Sequence, residues 1–92
     1  MTHSKTKTSF YRRLYVAYLI DSGANTVPAI QDATGMPRRT AQDTIVALSE
    51  LDIDCAFVGA TKDGHYQVND WGAIQKSWVR NNLSRIKDVL SY

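Results

Sequence analysis

Cysteine occurs once, at Cys55, and histidine twice, at His3 and His65, so an internal disulfide is excluded and a Cys/His zinc site of the usual spacing cannot be assembled. No stretch approaches the roughly 18 apolar residues of a membrane span, and the opening MTHSKTKTSF lacks the apolar core of a signal peptide. The expectation is a soluble cytoplasmic protein with no membrane partner. Phosphate-cradling and nucleophile motifs are missing too, with no G-x-S-x-G, P-loop or G-x-G-x-x-G run. Asp52 and Asp54 are followed by Ala56 and Phe57 rather than by further oxygen ligands, which excludes an EF-hand loop. Cys55 sits in an apolar run without a basic neighbour and reads as an inert thiol. These absences predict a chain that is not an enzyme and has no cofactor, metal or small-molecule ligand. A strong excess of one charge is also lacking: 11 Lys and Arg against 9 Asp and Glu leave a net charge of +2. Bulk charge therefore cannot hold nucleic acid, and the placement of the basic residues has to decide the matter.

What is present fits one domain, since 92 residues with 43% hydrophobic and 22% charged content suffice for a single core. Residues 1–8 are polar, carry Lys5 and Lys7, and are predicted to form a flexible basic arm. Ser9 is a candidate N-cap for a first helix with Phe10, Leu14, Ala17 and Tyr18 at helical spacing, closed by Gly23. Thr26 caps a short second helix, VPAIQDA, with Pro28 in its first turn and Thr34-Gly35 at its end. The strongest periodicity follows in RRTAQDTIVALSEL, where Ala41, Thr44, Ile45, Leu48 and Leu51 form one apolar face. IDCAFVG and HYQV read as antiparallel strands around a turn at Thr61 to Gly64, signalled by Asp63-Gly64. A last helix, capped by Asn69 or Asp70, carries Ile74, Trp78, Leu83, Ile86 and Leu90. The predicted fold is mainly α with a small β-hairpin: a three-helix core, a two-stranded wing and a C-terminal helix. Residues 9–72 form the winged helix-turn-helix unit, and residues 73–92 the C-terminal helix.

The stretch TGMPRRTAQDTI (Thr34 to Ile45), the LSELDIDCAFVG that follows it, and the DWG at Asp70 to Gly72 together resemble a family of small bacterial winged helix-turn-helix proteins. The likeness runs from the first helix through the last. It implies a fold in which the third helix enters a DNA groove, and hence DNA binding. One departure is the hairpin turn, which is only about four residues long and carries a single Lys62.

A helical wheel of the third helix leaves Arg39, Gln42, Asp43, Val46 and Ser49 opposite the apolar face, with Arg38 and Thr40 flanking. Arg matches guanine O6 and N7 or a phosphate, and Gln pairs with adenine, so this face is the expected reader of a major groove. Arg12 and Arg13 on the first helix, with Lys5 and Lys7 before it, are expected to meet phosphates beside it or to enter a minor groove, the competing reading being surface charge that serves solubility. Lys62 and His65 flank the hairpin tip within reach of the backbone or minor groove, His65 being otherwise a solvent-facing strand residue. The aromatic residues Tyr11, Tyr15, Tyr18, Tyr66, Trp71 and Trp78 fall at packing positions rather than on a stacking platform. Trp78, Val79, Leu83, Ile86 and Leu90 span too wide an arc for one small core and predict a homodimer through the last helix. The expected partner is double-stranded DNA, and the expected role that of a transcriptional regulator. The competing reading is a winged-helix module that binds protein, favoured by the acidic Glu50, Asp52 and Asp54 beside the third helix.

Overall fold

The computed structural model of the chain describes residues 3–60 and 62–92. Met1 and Thr2 of the expected arm, and Thr61 of the expected turn, lie outside the described residues.

Helix α1 spans Lys5–Asp21 and starts ahead of the predicted cap at Ser9. Ser4 takes that role: its backbone is extended and its Oγ accepts the Lys7 N–H at 3.1 Å. Ser4 satisfies one of the donors a helix start leaves free, and nothing between it and Ser9 breaks a helix. Lys5, Lys7 and Thr8 are therefore the first turn of α1 and not part of a flexible arm. Helix α2 (Val27–Thr34) is built as its sequence predicts. The Thr26 side chain accepts the Ala29 N–H at 3.2 Å, and Pro28 sits where no N–H is required. Gly35 closes it in the left-handed conformation, φ 76°, with its N–H on the Gln31 carbonyl at 2.7 Å. A side chain there would strain the backbone, so this glycine sets the sharp turn between α2 and the next helix.

Helix α3 covers Arg38–Ala47 and tightens into a 3-10 turn at Leu48–Leu51, so the α-helix is shorter than the apolar pattern predicts. The apolar spacing continues through that turn because Leu48 is still fully buried. Strands β1 (Asp54–Val58) and β2 (His65–Asp70) pair antiparallel, with Phe57 opposite Tyr66 and Val58 opposite His65. The Tyr66 N–H also donates to the Asn25 carbonyl at 2.8 Å, which ties the wing to the connection between α1 and α2.

The C-terminal segment departs from expectation in two ways. Asn69 and Asp70 do not cap it: both lie in β2, and Asp70 Oδ1 accepts the Gly72 N–H at 2.7 Å to turn the chain. The segment is also two short helices, α4 (Lys76–Asn81) and α5 (Leu83–Leu90), meeting at Asn82, whose backbone is not helical. That break lets both pieces fold back onto α1.

Helix α1 has apolar residues on two sides and separates two cores. Val16, Ala17 and Ile20 face Ile30, Met36, Ala41, Ile45, Leu48 and Ile53 of the helix-turn-helix unit. Tyr11, Leu14 and Tyr15 face Val79 and Ile86 of the C-terminal pair. Val79 and Ile86, expected at a dimer interface, are fully buried inside their own chain. Periodicity identified them as apolar-face residues but could not say that α1 supplies their cover. Among the described residues, no helix is long and apolar enough to cross a membrane.

Candidate nucleic-acid interface

Helix α3 is held by Ala41, Thr44 and Ile45 on its inner side, and the Thr44 hydroxyl is satisfied by donating to the Thr40 carbonyl at 2.6 Å. Anchoring that face fixes what the other presents. Arg38, Arg39, Gln42, Asp43 and Val46 are all exposed. Arg39 and Asp43, one turn apart, approach to 3.8 Å with side chains 92% and 75% exposed. An ion pair so open to water holds its partners loosely and leaves Arg39 free to exchange Asp43 for another acceptor.

Two clefts flank the helix. On the α1 side, a cleft of about 230 Å³ is lined by Ser9, Arg12, Arg13, Thr40, Asp43, Thr44 and Ala47. On the wing side, a wider groove of about 610 Å³ brings Arg38 and Gln42 together with Lys62, Phe57 and Tyr66. The fold thus gathers Arg12, Arg13, Arg38, Thr40, Gln42, Asp43 and Lys62 around one helix, with cations on both sides of it. Arg39 and Val46 line neither cleft and stand on the open outer face. His65 is half-buried at the turn end of β2, paired with Val58; its own side chain lines neither cleft, although its neighbours Gly64 and Tyr66 line the wing-side groove.

Phe57 joins the wing-side groove, a placement that the sequence pattern does not signal. The residue is 48% exposed, and its ring stacks edge-on against Tyr66 at 5.1 Å and lies over Gly64 so closely that a Cβ there would collide with it. Strand alternation puts Phe57 on the same side as Cys55 but does not show that this side meets α3 near the turn. Cys55 is half-buried, and burial pushes its thiol up, with the Asp54 charge adding and the Gln67 backbone bond opposing. A thiol kept protonated is a poor nucleophile. Among the described residues, no group of three or more His, Cys, Asp or Glu is arranged to hold a metal ion.

Two helices joined by a tight glycine turn, the second exposing a basic and polar face, and a hairpin directly after it define a winged helix-turn-helix domain. The chain belongs to the winged helix-turn-helix family, whose model matches residues 5–90. It is also similar to a DUF2131 family protein from Shewanella amazonensis SB2B, known from a crystal structure. The two share 33% sequence identity and a TM-score of 0.90, over 97% of this chain and 95% of that one. No curated protein matches the chain.

Proposed function

We propose that this protein binds duplex DNA sequence-specifically and acts as a homodimeric transcriptional regulator. The observation that carries the reading is the exposed face of α3 at Arg38, Arg39 and Gln42, bracketed by Arg12 and Arg13 on one side and Lys62 on the other. A major groove takes one helix, and the phosphates on its two sides take the flanking cations. Arg39 and Gln42 read bases; Arg12, Arg13 and Lys62 set the register without reading sequence.

Selection of sites from random duplex DNA at moderate salt tests this. Arg39→Ala or Gln42→Ala should cost about 1 to 3 kcal/mol and relax preference at one base position. Arg12→Ala, Arg13→Ala and Lys62→Ala should each weaken all duplexes alike and lower the salt slope by about 1. If no duplex is enriched, the DNA reading fails. The protein-binding alternative is favoured by Asp43, Glu50, Asp52 and Asp54, all exposed along and after the C-terminal half of α3. A partner held there by apolar contact would stay bound as salt rises, whereas a phosphate-held duplex would not.

A further inference from the structure

Val46 is 74% exposed, the highest value among the exposed large hydrophobic residues, and it stands on the outer face of α3 one turn after Gln42. In the free chain this placement gains nothing. A β-branched residue in a helix loses side-chain freedom relative to alanine, and no burial repays it here. Its neighbours on the same face are polar: Gln42, Asp43, Ser49 and Glu50 are all exposed. A protein interface would surround such a residue with further apolar side chains, since the centre of such an interface is an apolar, desolvated cluster. A single apolar group set among donors and acceptors is instead the pattern a major groove presents, where the thymine C5 methyl lies among hydrogen-bonding edges.

Resting on the DNA-binding reading above, we infer that Val46 is a specificity-determining residue that reads a thymine through its C5 methyl group. Val46 lies four residues beyond Gln42, which is about 6 Å along the helix axis. The thymine therefore lies within about two base pairs of the base that Gln42 contacts. Arg39 and Gln42 supply hydrogen-bonded readout on the same face, and Val46 adds the one apolar element.

The test takes the best duplex from the selection and replaces each thymine in turn with deoxyuridine, which removes the methyl and keeps the base pair. Binding of the intact protein and of Val46→Ala is measured on each duplex. Alanine is a better helix former at an exposed position, so the variant should fold as the parent does. At one position the parent should bind the deoxyuridine duplex about fourfold more weakly, the change expected for one buried methyl group. Val46→Ala should bind the thymine and deoxyuridine forms at that position equally. The inference is overturned if the parent is indifferent at every position, if Val46→Ala keeps the full penalty, or if the selected half-site contains no thymine. Failure to bind any duplex would overturn the DNA reading itself, and this inference with it. Ordinary site-selective binding with no methyl effect overturns only the role of Val46.

Discussion

Asp21, at the last turn of α1, receives two donors on one oxygen: Trp71 Nε1 at 3.1 Å and Lys76 Nζ at 2.6 Å. One carboxylate thereby fastens both the segment after the wing and the start of α4 to the end of α1. Burial pushes this carboxyl up, but the hydrogen bonds from Lys76 and Trp71 and the Lys76 charge outweigh it, and its pKa falls below the ordinary 3.8. A depressed carboxylate contributes stability that is fully present above its ordinary pKa and is lost as pH falls through the depressed one. Asp21→Asn should therefore lower stability by about 1 kcal/mol at pH 7, a modest figure because the Lys76 side chain is partly open to water. Parent and variant should converge as pH drops below 3.8. Urea titrations at neutral and acid pH check this, and a constant difference would mean that the carboxylate charge does not matter. None of this fastening was legible in the sequence, because Asp21 and Trp71 are 50 residues apart and their meeting is a property of the fold. Arg39, Gln42 and Asp43 were legible, because a helical wheel needs only local spacing.

At the scale of elements, patterns with a strong local signal were readable and junctions were not. The apolar stripe of α3, the Thr26 cap and the Gly35 turn lie within single segments and appear as expected. The start of α1 was misplaced because Ser4 and Ser9 are equally good caps by residue type, and the choice depends on which turn carries on into a packed helix. Ser4→Ala tests the cap: it should cost about 0.5 to 1 kcal/mol and speed amide exchange at Lys7, whose N–H the Ser4 hydroxyl accepts. An unchanged Lys7 amide would return the helix start to Ser9. A second junction lies where β2 ends. Gly72 has φ 60°, and a Cβ there would run into the backbone of Asp52. Because that obstacle is main chain and cannot swing aside, Gly72→Ala should destabilise by about 2 kcal/mol or more. Gly35→Ala, with open space around its Cα, should cost only about 1 kcal/mol for the left-handed backbone. Thermal unfolding of the two variants side by side checks the ordering, and equal losses would refute the steric account of Gly72.

For the whole molecule, α1 as a shared wall between two small cores explains both what holds the fold together and what remains available to a partner. Val79 and Ile86 are spent on α1, which narrows the predicted dimer surface to what the C-terminal pair still shows. Trp78 is 40% exposed, resting edge-on against Tyr11 with ring centroids 6.3 Å apart. It borders an apolar cleft of about 280 Å³ lined with Phe10, Leu14, Ala73 and Ile74, while Leu83 and Leu90 are half-buried on α5. A two-fold pairing through Trp78, with Leu83 and Leu90 beside it, would cover these residues by the commonest symmetry of small assemblies. On the proposed DNA-binding function, such a pair would set two copies of α3 against two half-sites, and centres about 34 Å apart match one turn of duplex, so the selected site should be an inverted repeat with half-sites roughly 10 base pairs apart. Sedimentation equilibrium over the micromolar range decides the point. The parent should sediment at twice the chain mass. Trp78→Glu should sediment as a monomer while keeping the parent's helical circular dichroism, which separates lost pairing from lost folding. A parent that stays monomeric at tens of micromolar removes the dimer and the inverted repeat together.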